Sequence, residues 1–410
     1  MTQGTGSSPA TRFCVRAVRP NDLAPSIIAA WAELEARAVE PNAYLSPYFV
    51  LPAVRYLDPK AQVMVFLIER IGAGSSDLVG LGVFRHVVAS RHLPLPHLTT
   101  YQSRHSFLSG LLLDRDVAQQ AIGALFDHFR TRSWSWHGIE FSDAWADGPL
   151  ADLLTQVAGE RKFTRSDRWP AERAVLVPTS SNVNDIDTAL GSRAKDLKRC
   201  MRRLQEQGEV RWTAHRLNGV PASSVEAFLD LEDRGWKGQA GTSLRTRPGD
   251  EAFFREMIAG FSGEGRALMT ELSVDGVVIS STSNLISGRA GFAFKIGWDP
   301  AFMKMSAGVL NEVELMRYAA TLCTDIDFFD SGAPPGSYIN DLWAARRPHM
   351  PYGAWFDTRG AHGPESNLVC TRIQGYDIEG LSRGRCVRKR DRSSSRRRDA
   401  SFTPRPVSFP

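Results

Sequence analysis

The chain has 410 residues, 42% of them hydrophobic and 23% charged, a composition that suits a protein with substantial folded cores. No run of about 18 apolar residues occurs, which excludes a transmembrane helix, and five scattered cysteines without a CxxC pair exclude a zinc or disulfide framework and fit a reducing cytoplasm. The net charge of +5 misleads, because residues 383–410 hold ten Arg/Lys and two Asp, a net +8, which leaves the rest of the chain at −3.

Residues 1–11 read as a disordered polar lead without a signal-peptide pattern. A first domain is expected over 12–177. Its first helix carries Trp31, Leu34 and Ala38, and Pro47 starts a second. Residues 63–70 and 78–88 flank a turn and read as a hairpin. An amphipathic helix at 117–132 runs through Ala121, Leu125 and Phe129. A short buried strand at 138–141 and a helix at 150–158 follow. His86, His92, His97 and His105 surround a proline-rich loop without ligand spacing, so no metal site is expected.

The polar, turn-rich stretch 178–191 is placed as a linker. The second domain is expected over 192–360. It opens with a basic helix, in which Arg193, Lys195, Lys198, Arg199, Arg202 and Arg203 face only Asp196. Helices at 222–235 and 250–261 come next. Residues 267–274 and 277–285 form a hairpin across Asp275-Gly276, a strong two-residue turn signal. A strand with alternating Phe292, Phe294 and Ile296 is followed by the small-residue loop Lys304, Met305, Ser306, Ala307, Gly308, then a helix from Val309. A buried strand at 325–330 closes the series. The two hairpins lie about two hundred residues apart and suggest a duplicated α/β unit. Residues 361–382 stay unassigned, and 383–410 read as a disordered basic tail.

The strand–loop–helix junction is the most informative pattern. It aims backbone N–H groups and the positive end of a helix dipole at one spot, which suits a phosphate or pyrophosphate. Gly308 leaves room for the ligand, and Ser306 is expected to cap the helix. Trp236 and Lys237 flank a glycine-bearing loop and read as substrate-binding, with a packed Trp beside a solvated Lys as the alternative. Glu232 is a candidate base, or one residue of a solvated helix face. Asp330 ends the buried strand, where ligands of open α/β sheets gather, and is a better base candidate; a cap or turn role is the alternative. Arg346 and Arg347 are candidate phosphate partners or a solvated pair. Trp343 reads as core.

Several segments together resemble the GNAT-like acyltransferases of the CelD/BioF2 type, relatives of the FemAB peptidyltransferases. They are AWAELEARAVEPNAYLSPYFVLPA, RAKDLKRCMRRLQEQGEV, LEDRGWKGQAGTSL, TELSVDGVVIS, SAGVLNEVELM and DSGAPPGSYINDLW, spread over residues 14–356. The resemblance implies an α/β (α+β) fold of two tandem GNAT-like domains, each a mixed sheet flanked by helices. It implies acyl-CoA, in the first instance acetyl-CoA, as donor cosubstrate, with no permanently bound cofactor. The pyrophosphate falls on Lys304, Met305, Ser306, Ala307, Gly308 and Val309, of which Gly308 fits the family's loop pattern. The thioester falls on the backbone of Phe294, Lys295 and Ile296. Tyr338 takes the place of the tyrosine that protonates the leaving thiolate. The implied reaction is acyl transfer to an amine or hydroxyl of a small-molecule or cell-envelope polysaccharide precursor, in the cytoplasm and without membrane insertion. Aminoacyl transfer from charged tRNA, or a non-catalytic GNAT-like protein in polysaccharide biosynthesis, are the alternatives. Nucleic acid enters only through tRNA or the basic tail.

Overall fold

The computed structural model describes residues 12–72, 74–89, 95–131, 136–167, 170–178 and 183–355. The lead at 1–11, residues 361–382 and the basic tail at 383–410 lie outside the described residues. In chain order the elements are β1 (Arg12–Val18), α1 (Pro25–Ala36), α2 (Pro47–Pro52), β2 (Val63–Ile71), β3 (Ser76–Val87), β4 (His97–Thr100), β5 (Leu112–Leu113), α3 (Ala118–Arg130), β6 (Gly138–Trp145), α4 (Pro149–Glu160), β7 (Thr164–Asp167) and β8 (Ala171–Leu176). They continue as α5 (Val183–Leu190), α6 (Arg193–Gln205), β9 (Val210–His215), α7 (Ala222–Arg234), α8 (Trp236–Gln239), α9 (Pro248–Gly263), β10 (Ala267–Val274), β11 (Val277–Ser287), β12 (Ala290–Trp298), α10 (Ala307–Leu322), β13 (Phe328–Asp330) and β14 (Ala345–Trp355).

The strands form one mixed sheet, ordered β1-β2-β3-β4-β6-β14-β8-β13-β12-β11-β10-β9. Its two ends repeat one pattern. An antiparallel run, β1-β2-β3-β4, leads through a helix to the parallel neighbour β6; the run β9-β10-β11-β12 leads through α10 to the parallel neighbour β13. Strands were expected at both hairpins and are there. The edge strands β1 and β9 were not expected; each is short and has no fully buried residue, so its apolar signal is weak.

The middle of the sheet exchanges strands between the two halves of the chain. β14 lies between β6 and β8, and its second half also pairs with β7. β8 in turn pairs with β13. The stretch expected as a linker contains α5, whose Ile186 and Leu190 are buried against the β8 and α10 side chains Leu176, Val313 and Leu315.

Both halves also share a core. Phe49 of α2 meets Phe253 of α9 edge to face at 5.2 Å and Phe294 of β12 at 6.2 Å. Trp145 of β6 stacks on Phe292 of β12 at 5.9 Å. Aromatic pairs of this kind add about 0.5–1.5 kcal/mol each beyond their buried area. Among the described residues no helix is long and apolar enough to cross a membrane.

Candidate functional site

The strands β12 and β13 part company early. Their parallel ladder has three pairs, Ala290↔Phe328, Gly291↔Phe329 and Phe292↔Asp330. β12 runs on to Trp298, while the chain turns away after Asp330. The turn is tight: Gly332 has φ +61°, and a Cβ there would lie 3.2 Å from the Ala293 carbonyl oxygen. Among the described residues no strand pairs the β13 side of β12 beyond Phe292. Backbone N–H groups along that edge have no strand partner among the described residues, whereas the Ile296 carbonyl accepts from Lys237 Nζ.

The other edge of β12 carries a bulge. Its register with β11 shifts at Ser283/Asn284, and Phe294 is the additional residue. The bulge sends two consecutive side chains to one face. Phe294 packs on Phe253 and Phe254, and Lys295 places its ammonium 5.6 Å from the Phe294 ring centroid. Ile296 and Trp298 face the other way, toward α10.

The junction into α10 departs from expectation in detail. Asp299, not Ser306, does the capping: its Oδ1 accepts from the Ala301 N–H at 2.9 Å and starts a 3-10 segment, Pro300–Met305. Ser306 makes no side-chain cap. It holds the left-handed conformation, φ +52° and ψ 43°, and α10 starts at Ala307. The first amides of a helix have no intrahelical carbonyl to meet, and the N–H groups of Ala307, Gly308 and Val309 have no backbone partner among the described residues. A cavity of about 250 Å³ lies against them, lined by Ile296, Trp298, Met303, Ser306, Ala307, Gly308, Val309 and Tyr338. Met305 turns inward beside Cys200 and Leu310, and Lys304 is exposed. Gly308 was expected to make room for a ligand. Its Cα instead faces the strand, since a Cβ would stand 3.2 Å from both Ile296 and Trp298, so its absence lets α10 approach β12.

Tyr338 reaches this cavity, 39% exposed overall. Desolvation, and then the Glu312 carboxyl, raise its pKa, so the phenol keeps its proton at neutral pH. Glu312 was not anticipated. It occupies an apolar position of α10, one turn beyond Val309 on the same face, and an acidic residue within that stripe was the available signal. It is 5% exposed, and its Oε2 has no partner among the described residues. Burial pushes its carboxyl up to about 7. The folded chain thus holds this proton more tightly than the unfolded chain. The contribution is full below the ordinary carboxyl range and is lost as pH rises through about 7, a difference of about 3 kcal/mol. Glu312→Gln should remove that slope. Urea unfolding at about pH 5 and about pH 8 should show the variant gaining roughly 2–3 kcal/mol on its parent across the interval.

The expected carboxylates are already engaged. Asp330, 2% exposed, accepts from Trp145 Nε1 at 3.1 Å and Arg173 Nη1 at 3.2 Å through Oδ2, and from the Gly332 N–H at 2.8 Å through Oδ1. Arg173 also donates to Asp143 at 2.9 Å. Glu232 accepts from Lys237 Nζ at 2.8 Å and from the Leu244 N–H at 2.9 Å. Lys237 spends its second bond on the Ile296 carbonyl at 2.9 Å, so it braces β12 with two of its three donors committed. The Trp236 side chain lies outside the described residues. Arg346 donates to the Asn340, Trp343 and Ala345 carbonyls and does not line the loop cavity. Arg347 pairs with Asp147 and lies 3.6 Å over the Trp145 ring. Trp343 is buried, as expected.

The basic helix α6 packs beside the loop. Cys200 and Leu204 join Met305 and Leu310 in one core cluster. Its arginines and lysines face outward, and Lys195, Arg203 and the nearby Lys304 have no ion pair among the described residues.

Residues 191–338 match the family described as "Acetyltransferase (GNAT) domain". Among solved structures, that of FemX is 10% identical with a TM-score of 0.53, covering 86% of this chain and 99% of its own. A tandem GNAT protein from the clavulanic acid biosynthesis pathway is 15% identical at a TM-score of 0.40, over 84% of this chain and 98% of its own. The C-terminal domain of a putative lysylphosphatidylglycerol synthetase from Agrobacterium fabrum is 10% identical at 0.48, over 85% and 95%. No curated protein matches in sequence. The chain has an α/β fold shared with FemX, and its residues 191–338 are similar to a GNAT domain; the CelD/BioF2 assignment stays a resemblance.

Proposed function

We propose that this chain is an acyltransferase that moves an acyl group, acetyl in the first instance, from acyl-CoA to an amine or hydroxyl of a small-molecule or cell-envelope polysaccharide precursor. The observation that carries the reading is the parting of β12 from β13 beside a cavity at the α10 N-terminus. The N–H groups of Ala307, Gly308 and Val309, with the helix dipole behind them, hold the donor pyrophosphate. The open edge of β12 at Phe294, Lys295 and Ile296 holds the thioester and directs a backbone N–H at its carbonyl oxygen. A preorganised donor of that kind lowers the barrier by about 2.7–4 kcal/mol.

The acceptor nitrogen or oxygen attacks the thioester carbon, the C–S bond breaks, and Tyr338 gives its phenolic proton to the departing thiolate. The proton shed by the acceptor passes to water, which returns one to the Tyr338 phenolate, because Glu232 and Asp330 have their oxygens committed to cations and N–H donors. Their proposed part in catalysis is to hold β12 and the turn after β13 in place.

Calorimetry with acetyl-CoA and longer acyl-CoAs tests the donor. Binding by at least one is expected, and a folded sample that binds none overturns the reading. Tyr338→Phe should lower turnover by about 10²–10³-fold, read as release of free thiol, with donor affinity within about twofold of the parent. An equal loss in affinity would assign Tyr338 to binding instead.

A second reading draws on α6. An exposed basic helix beside the donor loop suits a polyanionic donor such as charged tRNA. Binding of charged tRNA whose affinity falls steeply with salt would favour it, since each phosphate contact releases a counterion.

A further inference from the structure

On the face of β12 opposite the loop cavity, charge does not balance. Lys237, Lys295 and Arg104 meet two carboxylates there, Glu232 and Asp250. His105 stacks on Phe253 with Nε2 3.5 Å from Asp250, and burial and the neighbouring Lys295 hold it neutral, its pKa lowered to about 3. Glu232 is consumed by Lys237 and the Leu244 N–H, and Asp250 Oδ1 accepts from Arg104. Lys295 is left over. Its closest carboxylate oxygen, on Glu232, is 3.9 Å away, and its ammonium makes no hydrogen bond among the described residues.

An ammonium without an acceptor is costly when covered, and this side chain is 13% exposed. Burial lowers its pKa to about 8, as expected for a cation short of partners. Two features show that the arrangement is constructed. The bulge at Phe294 turns Lys295 to this face, and Arg104 arrives from the other half of the chain with only its Asp250 contact used. Arg104, whose charge acts on Lys295, is 36% exposed, so the cluster meets the surface at that residue.

We propose that Lys295 and Arg104 form a subsite for an anionic group, carboxylate or phosphate, of the acyl acceptor. This rests on the acyltransfer reading above. The subsite and the donor loop lie on opposite faces of one strand, with the Phe294–Lys295–Ile296 backbone between them. An acceptor anchored there by its anion brings its nucleophile to β12 from the side away from the donor. Both halves of the chain hold it.

The test uses inorganic phosphate and acetate as separate probes, without any donor, so a failure here is distinct from a failure of acyl-CoA to bind. In protein carrying 13C-labelled lysine, adding either probe should raise the Lys295 pKa toward the ordinary lysine value. The stronger probe identifies the anion class. Lys295→Met should lose about tenfold or more in affinity for that probe, and Lys295→Arg should keep it. A Lys295 titration indifferent to both probes overturns the proposal, whether or not the Met variant folds. So does a Met variant that binds as the parent does, and so does loss of binding in the Arg variant, because a lysine acting only as a proton acceptor is the residue arginine cannot replace.

Discussion

Asp330→Ala is expected to cost about 3–5 kcal/mol of folding stability, the usual consequence of removing one partner of a buried ion pair. The change leaves Arg173, 5% exposed, with Asp143 alone, strips Trp145 Nε1 of its acceptor, and frees the Gly332 N–H that fixes the turn after β13. Asp330→Asn keeps an oxygen for two of these contacts but loses the charge, and should fall between alanine and the parent. Urea unfolding measures both. The order parent, Asn, Ala in stability, with turnover declining in the same order, marks a residue that positions the site. An alanine variant as stable as its parent but inactive would return Asp330 to the role of base.

A larger effect is expected from ending the chain at Trp343, before β14. The two halves would keep their outer strands, but β6 and β8 would lose the strand between them. Met350, Tyr352 and Ala354 would leave the core, along with the hydrogen bond from the Tyr352 hydroxyl to the Leu154 carbonyl. Two unpaired interior edges invite association. The truncated chain should show no cooperative unfolding transition and should elute as aggregate in size-exclusion chromatography. A monomer with a sharp transition would show that β14 is dispensable to the sheet.

Much of this architecture was legible because its signals are local. The Asp275-Gly276 turn, the alternating Phe292, Phe294 and Ile296, and the helical spacing from Val309 each declare themselves within a dozen residues. β14 does not. Pro348 and Pro351 sit within it, and proline argues against an interior strand. The sheet accommodates them: the Pro348 carbonyl accepts from the Ala146 N–H, and the register with β6 shifts across Pro351. The site was legible to the same degree. The loop and Tyr338, which the family resemblance named together, line one cavity. The state of each charged group was not readable, because it depends on partners far away in sequence. Glu232 and Asp330 look like free acids until Lys237, Arg173 and Trp145 are seen around them. Arg104 and His105 gave no signal toward β12, since only the shared core brings their loop there.

The exchange of strands at the centre of the sheet also bears on how this protein is made. Synthesis proceeds from the N-terminus at about 5–20 residues per second, and domains normally fold as they emerge. Here β6 waits for β14, some two hundred residues later in the chain. The first half therefore leaves the ribosome with an open apolar edge and stays so for on the order of ten seconds or more. Sequence-distant pairing slows folding in its own right. A nascent chain of this design is a natural client for a chaperone that binds early and lets go late.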